Sequence, residues 1–153
     1  MLAALAAVVA AAIAVPLLTL GGENRLTKAE YSQRVTAIYR STGEAFVRAA
    51  PGRSASGTSK SLRAIKAALD RAARALSALH PPRDGRDDHR LLVAATEDYA
   101  AQVDLLRASV DFGDPATIAS HLREITAPGA IRRALADLAR KGYRIPVSVV
   151  TLR

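Results

Sequence analysis

The chain has 153 residues, a net charge of +8 from 22 Lys and Arg against 14 Asp and Glu, and neither Cys nor Trp. The missing Cys excludes a lipidated-cysteine anchor and thiol catalysis, and says nothing about export, since many exported domains carry no disulfides. With four Tyr and two Phe as the only aromatics, the core has to be built from Leu, Ile, Val and Ala on helices, and the abundance of Ala and Arg carries the imprint of GC-rich coding.

Met1 to Leu20 contain no charged side chain. Twenty helical residues at about 1.5 Å each span roughly 30 Å, the thickness of a bilayer's hydrocarbon core. Leu2, Leu5, Val8, Val9, Ile13, Val15, Leu17, Leu18 and Leu20 carry the hydrophobicity, and Pro16 weakens it. Residues 1–22 are therefore expected to be a transmembrane anchor. A cleaved signal peptide is the main alternative, with Ala12-Ile13-Ala14 as a small-x-small site lying inside the apolar run and no basic n-region before it. A buried soluble helix is the third. No Lys or Arg precedes the segment while Arg25, Lys28 and Arg34 follow it, which by the positive-inside bias alone would leave the domain cytoplasmic. Basic residues upstream would reverse that bias, and the expected placement is extracytoplasmic.

About 130 residues remain, enough for one core. Thr27 with Glu30 forms a capping box, so a helix starts there and runs to about Ala49, where Pro51 and Gly52 end it. Its inward seam is expected to be Tyr31, Val35, Ile38, Thr42, Ala45 and Ala49. Residues 51–57 read as a loop. A second helix starts near Thr58 with an unbroken stripe of Leu62, Ile65, Leu69, Ala72, Leu76 and Leu79, stopped by Pro81 and Pro82 and turned by Asp84-Gly85. A third runs from about Asp87 to Val110 on Leu92, Ala95, Tyr99, Val103, Leu106 and Val110. Asp114-Pro115 opens a short fourth helix with Ile118, Leu122 and Ile125 as its buried stripe. Pro128 opens the last, on Ile131, Leu135 and Leu138, closed by Gly142 as a left-handed cap. The pattern predicts an all-α protein: an N-terminal transmembrane helix, an antiparallel four-helix-type bundle over 23–142, and an extended tail over 143–153 with Ile145, Val147, Val149 and Val150 in alternation.

Leu76-Ser77-Ala78-Leu79-His80-Pro81-Pro82, an acidic turn, then His89, Leu92 and Tyr99, together with Leu26-Thr27-Lys28-Ala29-Glu30-Tyr31, resembles anchored or secreted helical proteins of high-GC Gram-positive bacteria. The likeness covers about 60 residues and its motifs are of low specificity. Several such sequences carry a Cys near the position of Tyr39, which is absent here. The resemblance implies a bundle and an envelope address, and it implies no activity.

Chemistry-bearing clusters are sparse. His89 beside Asp87 and Asp88 is the densest group of metal-ligating types, but neighbours on a helix diverge by about 100°, and a solvated helix start is the favoured reading. His121 and Glu124 share a face, yet the Glu-x-x-His pairs of di-metal bundles are missing. No nucleophile elbow or phosphate-binding glycine loop is present, so no catalytic residue, metal or cofactor is expected.

The remaining surface signal is basic. Lys60, Arg63, Arg71 and Arg74 lie close to one face of the second helix, interrupted by Asp70, with Lys66 to the side. Arg132, Arg133, Arg140, Lys141 and Arg144 form a second group. These are the candidate contacts to anionic lipid or to an envelope protein. The competing reading is an ordinary solvated face, partly neutralised by Glu97, Asp98 and Asp104. Nucleic-acid binding would need aromatics interleaved with the cations or a reading helix, and neither is visible. The expected protein is thus a non-enzymatic, membrane-anchored, extracytoplasmic interaction or structural module. The alternatives are a secreted bundle holding a small ligand or metal, and a cytoplasmic-facing basic domain for nucleic acid or an acidic protein.

Overall fold

A computed structural model describes residues 25–49 and 54–146. The leader expected over 1–22 lies outside them, as does the tail beyond 146. Among the described residues no helix is long and apolar enough to cross a membrane. Every regular element among them is helical: α1 (Lys28–Arg48), α2 (Ala55–Ser77), a 3-10 turn (Arg83–Gly85), α3 (Arg86–Phe112), α4 (Pro115–Glu124) and α5 (Ala127–Arg140). They form a helical bundle.

The helix ends follow from capping chemistry. Thr27 accepts from the Glu30 backbone N–H while the Glu30 carboxylate accepts from the Thr27 N–H at 2.8 Å. Two orphan donors are satisfied reciprocally, and these bonds hold the Glu30 carboxyl below the usual carboxylate range. α2 starts earlier than expected. Ser54 caps the Gly57 N–H at 3.1 Å, so Ala55 to Gly57 wind as first turn rather than loop. Asp114 caps α4 by accepting from the Ala116 and Thr117 N–H groups. α5 closes with Gly142 at φ 87°, the Gly142 and Tyr143 N–H groups returning to the carbonyls of Ala139 and Leu138. That is the Schellman arrangement expected from a glycine just past a helix.

α3 is the central element. α2 packs along it as a hairpin partner, α5 packs against another of its sides, α1 covers α2, and α4 meets only the end of α3. The main core joins Tyr31, Val35 and Tyr39 of α1 to Leu76, Leu92, Ile131, Leu135 and Leu138, and is completed by Tyr143 and Ile145. A smaller cluster of Leu69, Ala100 and Val103, with Phe46, Leu62, Ile65 and Tyr99 at its edge, fills the other end of the hairpin.

Two expected stripes are corrected. On α1 Tyr31, Val35, Thr42 and Ala49 are buried as expected, Ile38 and Ala45 are only half-buried, and Tyr39 joins the buried line. A step of four carries Tyr39 inward, where its hydroxyl meets Thr96 Oγ1 at 2.9 Å and a polar tip is satisfied inside the core. On α4 no residue is buried; Ile118 and Ile125 are half-covered and Leu122 is 54% exposed. A helix of 10 residues touching one neighbour has nothing to cover a full stripe.

The first described residues of the tail behave as their alternation implied. Tyr143 and Ile145 are buried while Arg144 and Pro146 face out. This irregular segment is held without a sheet partner, the Arg144 N–H donating to Ser32 Oγ at 3.0 Å.

Candidate functional site

The charged residues at the α3 start are not a solvated helix end. Asp87 is exposed and pairs with Arg90 at 2.7 Å, but Asp88 and His89 are buried. His89 Nδ1 lies 2.9 Å from the Tyr31 hydroxyl, and the two rings meet edge to face. Asp88 is ion-paired with Lys141 at 2.7 Å, which holds the ammonium pKa above its ordinary value. Asp84 accepts from the Tyr143 hydroxyl at 2.9 Å and pairs with Lys28 at 2.6 Å, and these partners, Lys28 foremost, keep its carboxyl below the usual range. Lys28 also donates to the Lys141 carbonyl and sits 5.2 Å from the centre of the Tyr143 ring. One polar cluster therefore ties together the start of α1, the 3-10 turn, the start of α3 and the end of α5.

Gly85 makes this closure sterically feasible. A Cβ there would stand 2.4 Å from the Tyr143 hydroxyl oxygen and 2.8 Å from its Cζ. The requirement is for space, since its φ is an ordinary −101°.

The cluster's buried rings are shifted towards their neutral forms. Here burial pushes the Tyr31 and Tyr143 phenols well above their ordinary values and lowers that of His89, keeping each neutral. His89 Nδ1 is already engaged by Tyr31. His121 likewise has its Nδ1 within 2.5 Å of Ser109 Oγ, while the exposed Glu124 accepts from Ser120. Among the described residues no group of three or more His, Asp or Glu converges as a cation site.

Periodicity contained the signal for His89. It precedes Leu92 by three and Thr96 by seven, so it belongs to the same inward face. Nothing local announced Lys28, Asp84 and Lys141, which meet only through tertiary packing.

The basic residues fall into two kinds. Lys60, Arg63, Arg71 and Arg74 are all exposed, and among the described residues none of them is ion-paired. The interrupting Asp70 is held by Lys66 at 2.8 Å. The expected neutralisation from α3 does not come from Asp104, which with Asp111 clamps Arg107 at 2.8 and 2.6 Å. Fourteen residues separate the ends of this α2 stripe, so it runs about 21 Å. Arg71 also rims an open groove of about 350 Å³ between α1 and α2, floored by Ile38, Ala68, Ala72 and Ala75.

The second basic group is divided. Arg140 is paired with Asp137 and Lys141 with Asp88, while Arg132 and Arg133 stand exposed on α5. The two groups stand on different helices, α2 and α5, each of which packs on α3. Comparison with protein-family models, curated proteins and solved structures finds no match.

Proposed function

We propose that the chain is an envelope interaction module: a non-enzymatic helical bundle tethered by Met1–Leu20, on the extracytoplasmic side, that lays the α2 stripe against anionic lipid headgroups. The observation that supports this reading is the unpaired state of Lys60, Arg63, Arg71 and Arg74, with Asp70 engaged by Lys66 and Asp104 by Arg107. A cation without a partner keeps its full attraction for external anions, worth about 1 kcal/mol per residue at a lipid surface. Arg140 and Lys141, committed to internal carboxylates, contribute less to such a surface. The uncharged leader and the weak resemblance to anchored helical proteins point to the same address.

The test separates tether from stripe. Membrane fractionation with protease accessibility reports whether the full chain is anchored and on which side. Flotation on anionic and neutral vesicles then isolates the stripe, because the leader contributes equally to both. Wild type is expected to favour anionic vesicles, with the preference shrinking between 0.1 and 0.5 M salt as screening lengths shorten to a few ångströms (about 10 Å at 0.1 M). A variant carrying Lys60→Glu, Arg63→Glu, Arg71→Glu and Arg74→Glu is expected to lose it. Equal binding of wild type to both vesicles refutes the lipid role.

A further inference from the structure

Where α2 ends and α3 begins lies an open groove of about 620 Å³, bounded by Leu79, His80 and Pro81 on one side and by Arg86, His89 and Val93 on the other. Small-molecule sites occupy roughly 300–1,000 Å³ and combine apolar walls with a few fixed polar groups. Leu79 and Val93 are half-buried and rest on the main core, so these walls are supported from behind. The fixed polar group is His89, only 7% exposed.

Tyr31 decides which ring nitrogen of His89 carries the proton. The phenol is fully buried, and Nδ1 of His89, at 2.9 Å, is the one partner of its hydroxyl. A buried hydroxyl hydrogen without an acceptor is costly, so the phenol donates and Nδ1 accepts. The neutral imidazole then holds its proton on Nε2. Nε2 has no hydrogen-bond partner among the described residues and is not sealed in the interior. A packed, oriented ring therefore leaves one N–H donor unspent at the groove wall.

We propose that this groove binds a small monocarboxylate with an apolar body, the carboxylate accepting from His89 Nε2–H and the body lying on Leu79, Pro81 and Val93. The donor is set before the ligand arrives, which spares the cost of ordering it on binding. A metal ion is the wrong occupant, because it needs the lone pair that a protonated Nε2 does not offer.

Charge narrows the class to a single negative charge. In the lining, Arg86 and Arg90 are balanced by Asp87 and Glu97, and Arg90 already holds Asp87 at 2.7 Å. No net positive charge is left to draw in a dianion such as phosphate. The two ends of the groove nevertheless differ. Arg86 stands one turn before His89, at the positive end of α3, whereas Glu97 is eight residues further on, about 12 Å along the axis. The carboxylate thus belongs at the His89 end.

Nitrogen NMR of the imidazoles in the full-length chain tests this, with its three histidines as reporters. Without ligand, near pH 7.5 and so above the ordinary histidine pKa of about 6.5, His89 is expected to show a protonated Nε2 and a bare Nδ1. The opposite tautomer overturns the inference. With 3-phenylpropionate as the probe, the His89 and His80 signals are expected to shift saturably, while His121, outside the groove, stays in place. 3-Phenylpropionamide and inorganic phosphate are each expected to bind at least about tenfold more weakly, the worth of one charge-assisted hydrogen bond. Ala94 is exposed on the groove wall, so Ala94→Trp is expected to abolish the saturable shift with helix content and tautomer unchanged. His89→Phe, read through His80, is expected to weaken binding by a similar factor to the amide. No saturable shift, equal shifts at all three histidines, equal binding of acid and amide, or wild-type affinity in Ala94→Trp overturns the inference.

Discussion

Replacing Gly85 with Ala tests the closure of the bundle end at its tightest point. The added Cβ would meet the Tyr143 hydroxyl oxygen at 2.4 Å, Cζ at 2.8 Å and Leu138 Cδ2 at 3.4 Å. Tyr143 cannot swing aside freely: it is 2% exposed, donates to Asp84 and packs edge to face on Tyr31 with ring centres 5.4 Å apart. Overpacking of this kind costs about 1–3 kcal/mol. Losing a hydrogen bond to a half-exposed carboxylate adds about 1 kcal/mol. The expected total is about 2–4 kcal/mol, a fall in Tm of roughly 6–15 °C for a chain of this size. Helical circular dichroism followed through thermal and urea unfolding measures it. Tyr143→Phe removes the closest atom and the same hydrogen bond, so the double variant should cost about 1 kcal/mol less than the sum of the singles. A Tm for Gly85→Ala within 1 °C of wild type would refute the steric account.

Three further outcomes are expected. Leu69 is 1% exposed in the smaller cluster, so Leu69→Asp buries an unpaired charge and should abolish cooperative unfolding; an unchanged melt overturns the α2 register. His89, held below its ordinary pKa by burial, resists in the folded chain a proton that the unfolded chain accepts near pH 6.5. Stability should therefore be complete above that pH and decline as pH falls through the folded-state value, and His89→Gln should flatten the profile between pH 7 and 5. The lowered carboxyls of Asp84, Glu30 and Asp114 act in a separate window, with stability present above about pH 4 and lost below it. Gly142→Ala should cost about 1 kcal/mol through its left-handed backbone, read as a shifted urea midpoint with an unchanged slope.

Local signals in the chain carried the helices because capping and periodicity are local physics. Thr27 with Glu30, Asp114 with Pro115, and Gly142 each mark a boundary that the fold uses. The inward stripes of α2 and α5 were equally plain. Where a stripe depended on which neighbour covers it, periodicity was silent: Leu122 and Phe112 look as apolar as Leu92, yet only Leu92 is buried. Polar partners were the least legible. Thr96 inside the core and the meeting of Lys28 with Asp84 depend on packing between residues far apart in the chain. The α2 stripe was visible as composition, but its unpaired state emerged only once Lys66 was seen to take Asp70 and Arg107 to take Asp104.

The bond from Arg144 to Ser32 joins residues 112 positions apart, and Tyr143 lies edge to face against Tyr31. The segment after α5 thus serves as a clasp on the helix that opens the bundle, and removing it beyond Gly142 would uncover one flank of Tyr31, which is otherwise fully buried.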